Sequence, residues 1–122
     1  MILNLTQHPA TPEQVAQGVV DLPSEARAAL ARYLTVDDLP TAAEIDSRAR
    51  GIATLIDAVQ GDVRTAMIGG APWMMGPLVQ ALRNAGVECV AAFSKRVSVE
   101  SADATGAVTK TAVFKHIGFV PM

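Results

Sequence analysis

The stretch RTAMIGGAPWMMGPLVQALRNAGVECVAAF, residues 64–93, constrains the fold more than any other part of the chain. A short apolar segment, RTAMI, runs into two glycines. A segment of helical period follows from Pro72 to about Ala85, with Ala71, Met75, Leu78, Leu82 and Ala85 spaced 4, 3, 4, 3. Gly86 stops it, and VECVAAF (87–93) returns as a nearly continuous apolar run, the pattern of a strand covered on both faces. Strand, helix and strand in so short a span imply a parallel pair joined by a right-handed crossover.

The remaining segments extend this alternation. ILNLT (2–6) reads as a strand, and QHPAT ends it because Pro9 cannot continue a central ladder. TPEQ opens a helix, with Thr11 at the N-cap, Pro12 at the first helical position and Gln14 placed to close a capping box. Gly18 stops that helix. SEARAALARYL (24–34) reads as a second helix with Ser24 as its cap. TAAEIDSRARGIATLIDAVQG (41–61) reads as a third, with a capping box from Thr41 to Glu44. Its Ile45, Ala49, Ile52, Ile56 and Val59 again follow 4, 3, 4, 3, one buried stripe, and Gly61 ends it. VDDLPT (36–41) is an inter-helix loop.

After VECVAAF come RVSVES (96–101), a turn at ADATGA, and VTKTAVFKHIGFV (108–120). Arg96, Ser98 and Glu100 alternate with Val97, Val99 and Ser101, so this pair reads as an antiparallel hairpin with one wet face. The expected architecture is one Rossmann-like α/β domain over residues 1–122. It is a small three-layer sandwich of parallel central strands with an antiparallel C-terminal hairpin.

Composition narrows the functional classes. Half of the residues are hydrophobic and 18% are charged, which fits a packed globular chain and argues against disorder. A net charge of −2 supplies no basic field, so general affinity for long nucleic acid is not expected. Cys89 is the only cysteine, cannot form an intrachain disulfide, and is expected inside a buried strand. The N-terminus lacks the basic and apolar regions of a signal peptide, and no apolar run approaches the ~20 residues that cross a bilayer. The expected location is the cytoplasm, away from membranes.

Open parallel sheets bind ligands beyond the carboxyl ends of their strands. On the elements above, the first strand ends in Thr6, Gln7 and His8, the second in Gly69 and Gly70, and the third in Ser94, Lys95 and Arg96. Parallel strands would bring all three clusters to one rim. The helix from Pro72 has no Ser, Thr, Asp or Asn at its entrance, whereas the other three do, so its first amides are free for an anion. Tight packing of helix on strand is the alternative role of Gly69 and Gly70. Neither a P-loop nor a G-x-G-x-x-G pattern is present. Lys95 and Arg96 are suited to a phosphate, Arg96 in bidentate fashion, or to a solvated turn.

His8, at a strand end, is placed to act as an acid or base. His116 shares a strand face with Phe114 and Gly118 and reads as structural. Trp73 is suited either to stack on a base or to seal a contact. No triad order, nucleophile elbow or metal-ligand spacing is present, so no metal or cofactor is expected.

The phrases NLTQHPAT, IGGAPWM, AFSKRVSVE and VFKHIGF together resemble a group of small uncharacterised proteins of bacteria and phages, over most of the chain. More distantly, a strand ending in His and followed by TPEQ resembles the start of small CRISPR-associated proteins, CARF-like proteins and ring nucleases of antiviral defence. That second resemblance covers about the first twenty residues. It implies a homodimer with a cyclic oligonucleotide, such as cyclic oligoadenylate, across its two-fold axis. His8, Gly69, Gly70, Ser94, Lys95 and Arg96 would then map to the ligand-binding rim.

The resulting expectation is a protein that binds a nucleotide or other phosphorylated ligand through Gln7, Gly69, Gly70, Trp73, Ser94, Lys95 and Arg96. Metal-independent phosphodiester cleavage assisted by His8 and Arg96 would be its chemistry if it is an enzyme. The alternative is a small interaction protein of bacteria or phages that docks on a host or defence protein through Trp73, Met74 and the hairpin.

Overall fold

Four strands run parallel and one antiparallel in the computed structural model, which describes residues 1–122. The order is β1 (Ile2–Asn4), α1 (Pro12–Ala16), β2 (Val19–Asp21), α2 (Ser24–Leu34) and α3 (Ala42–Thr54) with a 3-10 turn (Leu55–Ala58). Then come β3 (Thr65–Met67), α4 (Pro72–Asn84), β4 (Glu88–Ala102) and β5 (Val108–Pro121). In the sheet the order is β2-β1-β3-β4-β5, with β5 antiparallel to β4. The architecture is the expected small α/β sandwich.

The chain steps outward from β1 to β2, then back past β1 to β3 and on to β4. Right-handed crossovers therefore put α1 on one face and α2, α3 and α4 on the other. The second face holds the core. Leu3 and Leu5, Ala66 and Ile68, and Val87 and Cys89 point from three strands into Ala26, Leu30, Ala49, Ile52, Met74, Leu78 and Leu82 of the helices. Burying side chains of this kind is worth roughly 1.5–3 kcal/mol each, which is what organises so small a sheet. α1 buries no residue at all.

Several local expectations change. β2 was absent from the sequence reading: Val19–Asp21 is only three residues long, and a strand that short shows no alternation to detect. Ser24 is not a cap. Pro23 occupies that position in α2 and no side chain accepts its first amides, so α4 is not alone in being uncapped. The Thr41 box is half formed: Thr41 Oγ1 accepts from the Glu44 amide at 3.1 Å, but the Glu44 carboxylate turns instead to Arg48 at 3.1 Å. The box at Thr11 and Gln14 is complete. In α4 the buried stripe is Met74, Leu78 and Leu82, so Met74 is core rather than a docking residue.

The largest change concerns the hairpin. VECVAAF and RVSVES are one continuous strand, β4, with a bulge in the pairing at Phe93 and Ser94. Ser94, Lys95 and Arg96 therefore lie within a strand that runs past the rim, not at a strand end. No helix is long and apolar enough to cross a membrane.

Candidate functional site

The site begins with a buried amide. Asn4, at the end of β1, is the one buried polar residue of the chain. Its Nδ2 donates to Asp21 Oδ1 and to the His8 carbonyl, both at 2.8 Å. Its Oδ1 accepts from the Thr6 amide at 2.9 Å and from the Thr6 hydroxyl at 2.7 Å. Asp21 Oδ1 also accepts from the Ala10 amide at 3.0 Å. A polar side chain this deep must be satisfied, and here one bond goes to Asp21 of β2 and the other three to the turn that leaves β1. The backbone of residues 6–10 is thus pinned from below, leaving Gln7 and His8 exposed on its outer side.

The neighbouring turn leaves β3. Gly70 has φ +142, a conformation open essentially to glycine alone. Ala71 then caps α4 without a side-chain acceptor, and the Met74 amide bonds back to the Ala71 carbonyl at 3.0 Å. The amides of Gly70, Ala71 and Trp73 have no backbone partner, while Pro72 has no N–H to offer. Gly69 differs from Gly70. Its φ is ordinary, and an added Cβ would meet nothing nearer than Thr6 Cγ2 at 3.6 Å, so steric packing does not demand a glycine there.

Between the two turns lies an open trough of about 560 Å³. Gln7 and His8 line it from the first turn and Gly69, Gly70 and Trp73 from the second, with Leu34 of α2 and Ala91 and Ala92 of β4 also in the lining. Trp73 is half exposed. The chemistry available is that of backbone amides, the two amide side chains of Gln7 and Gln14, the hydroxyls of Thr6 and Thr11, one imidazole and one aromatic face. His8 is the only titratable side chain in the lining.

The rim expected from the sequence is therefore assembled in part. Gln7, His8, Gly69, Gly70 and Trp73 converge on one trough. Ser94, Lys95 and Arg96 are outside its lining, on the extension of β4, opposite His116, Lys115 and Phe114 of β5 respectively. Thr6, expected at this rim, also lines the trough, whereas Asn4 and Asp21 beneath it were not anticipated. The signal available was an Asn in an otherwise apolar strand, which has to find partners once buried.

The other polar groups are structural. His116 Nε2 lies 2.8 Å from Gln17 Oε1, and Gln17 Nε2 donates to the Ile117 carbonyl at 3.2 Å. The second contact fixes which end of the Gln17 amide is oxygen, so His116 carries its proton on Nε2. Its Nδ1 is buried without a partner, and its ring meets Phe119 edge-on at 5.0 Å. Burial pushes the Cys89 thiol above its ordinary 9.0, the nearby Arg83 opposing and Glu88 assisting. No group of three or more His, Cys, Asp or Glu is arranged to hold a metal ion.

Neither a curated protein nor a solved structure shows significant similarity to the chain. A family model does match, and nothing in it ties the chain to CARF-like proteins or ring nucleases. It spans residues 1–120, and the chain accordingly belongs to the uncharacterized protein MJ1673 family.

Proposed function

We propose that the rim trough binds a nucleotide or a similarly phosphorylated small molecule. One observation carries this reading: the unpartnered amides at the start of α4 open onto the same trough that the half-exposed Trp73 lines. A phosphate set against those amides meets both hydrogen-bond donors and the positive end of the helix. A base stacked on Trp73 adds about 1–3 kcal/mol. Gln7 and His8 supply polar contacts from the opposite turn. The lining contains no Lys or Arg, so the amides carry the anion within one copy of the chain.

A cyclic oligonucleotide belongs to the same chemical class, since it repeats the phosphate and base that the trough accommodates. Its metal-independent cleavage is the reaction to assay. His8, as the only titratable group of the lining, would take the proton of an attacking ribose 2′-hydroxyl.

Thermal shift against mono-, di- and cyclic nucleotides, cyclic oligoadenylate included, tests the reading directly. At a ligand concentration of about 100 Kd the native state gains about 2.7 kcal/mol, readable as a raised Tm. Trp73→Ala should abolish most of that response while leaving the unliganded Tm close to its original value. A flat response from the unsubstituted protein across the whole panel would rule the proposal out.

A further inference from the structure

The longest feature of the fold is the β4–β5 pair, held at its base by Gln17 against His116 and Ile117. β4 and β5 run 15 and 14 residues, whereas β1, β2 and β3 have three each. β3 reaches β4 only as far as Val90, and beyond it β4 pairs with β5 alone. Residues 94–116 therefore form a two-stranded ribbon standing past the rim, and an isolated ribbon is marginal in water.

The register places Lys95 opposite Lys115 and Val97 opposite Val113 on one face, with Val99 next to them. Like charges directly opposite one another are destabilising. Neither lysine has a carboxylate partner, because the three ion pairs of the chain join Arg48 to Glu44, Arg64 to Asp62 and Lys110 to Glu100. Val99 and Val113 are exposed. This face lacks both an anion and an apolar cover.

The complement stands elsewhere on the same chain. In the loop between α2 and α3, Asp37 and Asp38 make no ion pair, and Leu39 is 97% exposed. The base of that loop is held rigidly. Arg48 Nη1 donates to the carbonyls of Arg32, Tyr33 and Thr35 at 2.8, 3.0 and 3.1 Å. The loop starts just after Leu34, which lines the trough, so loop and ribbon both belong to the rim end of the molecule.

Charge divides the same way. Residues 94–116 carry Lys95, Arg96, Lys110 and Lys115 against Glu100 and Asp103, a net +2, so the chain's total of −2 leaves −4 for the remainder.

We propose that the ribbon is a dimerisation arm that lies on the Asp37–Leu39 loop of a second copy. Two-fold symmetry lets each copy give its arm and receive the other. Leu39 of the partner subunit covers Val97 and Val113, while the partner's Asp37 and the partner's Asp38 neutralise Lys95 and Lys115. A nucleic acid would satisfy the lysines but leave the valines bare, and it would have to approach a net-negative chain. The proposal does not depend on what the trough binds.

Sedimentation velocity of the full chain over a range of concentrations and salt is the test. A dimer is expected, weakened as salt screens the exposed pairs. Lys95→Glu/Lys115→Glu should raise the dimer Kd at least about tenfold, and Asp37→Lys/Asp38→Lys should do the same, with the helical circular dichroism unchanged. Combining all four substitutions should restore association to near its original strength, since the charges are exchanged rather than lost. A chain that stays monomeric throughout overturns the proposal. So does a dimer indifferent to both pairs of substitutions, or a quadruple variant that shows no rescue. Binding of a duplex oligonucleotide lost in Lys95→Glu/Lys115→Glu, by a protein that remains monomeric, would assign the ribbon to nucleic acid instead.

Discussion

Asn4 Nδ2 donates to Asp21 Oδ1 at 2.8 Å, joining the ends of two parallel strands beneath the turn that carries Gln7 and His8. The bond matters because both groups also hold that turn, through the His8 carbonyl and the Ala10 amide. Asn4→Leu keeps the branched side-chain shape but leaves the Asp21 carboxylate and the Thr6 amide short of a partner. A loss of about 2–3 kcal/mol is expected. Urea unfolding should show a lower midpoint at unchanged slope, the signature of altered stability rather than an altered denatured state.

Gly51 sits beneath the Tyr33 ring, where α3 passes α2. A Cβ at that position would lie 2.5 Å from Tyr33 Cε1 and Cζ, well inside contact distance. Helix propensity alone favours Gly51→Ala by about 1 kcal/mol. The clash should outweigh it and give a net loss of about 1–3 kcal/mol. In a Tyr33→Ala background the sign should reverse, because the ring is gone and propensity remains. A double-mutant cycle measures that coupling.

Gly69→Ala and Gly70→Ala separate the two roles open to the glycine turn. At Gly70, with φ +142, an alanine is strained by about 1–3 kcal/mol whatever the surroundings. At Gly69 the new methyl meets Thr6 Cγ2 only at ordinary contact distance, so stability should change by less than about 0.5 kcal/mol. Gly69 and Thr6 both line the trough, however. A ligand response weakened in Gly69→Ala at constant unliganded Tm would mark a ligand-facing turn. An undiminished response would leave the turn a packing device.

Asp103 organises the tip of the ribbon. Its carboxylate accepts from the Thr105 hydroxyl at 2.7 Å, from the Thr105 amide at 2.8 Å and from the Ala107 amide at 3.0 Å. These bonds, the Thr105 hydroxyl foremost, hold its pKa below the ordinary 3.8. A depressed folded pKa stabilises the turn fully above the unfolded value and ceases to do so as pH falls through the folded one. The ribbon tip should therefore be ordered at neutral pH and loosen only in acid below the usual carboxylate range. Carbon NMR titration of the Asp103 carboxyl should give a lower midpoint than the same residue in a free ADATGA peptide.

Cys89 should be chemically silent. It is buried in β4 between the sheet and the helices, and that burial raises its pKa, so the thiolate needed for attack is scarce near neutrality. Reaction with a thiol reagent such as DTNB should be negligible in the native protein and should proceed at the global unfolding rate or faster only in denaturant. Rapid native labelling would show that the strand opens locally.

Much of this molecule is written in local pattern. The 4, 3 stripe of Ile45, Ala49 and Ile52 specifies α3, because burial on one face requires that spacing. The expected helix to Gly61 nevertheless stops at Thr54: Ile56 falls in the 3-10 turn and Val59 is extended. The capping box at Thr11 and Gln14 is equally local, since both partners lie within one turn. The convergence of Gln7, His8, Gly69, Gly70 and Trp73 also followed from the sequence, through the rule that parallel strands end on one rim.

Other features depended on partners distant in the chain. β2 exists because Val19–Asp21 finds β1 beside it, and three residues have no period of their own. Asn4 takes its meaning from Asp21, seventeen residues away. Gly51 takes its meaning from a ring on another helix. Lys95 and Arg96 left the expected rim because β4 found a long partner in β5 and continued, whereas a turn would have ended it there. By itself the sequence determined the helices, the parallel core and the two turns that wall the trough, all set by side-chain spacing along the chain. Only the tertiary structure decided which polar groups share that trough, because strand length and burial are settled by pairing across space.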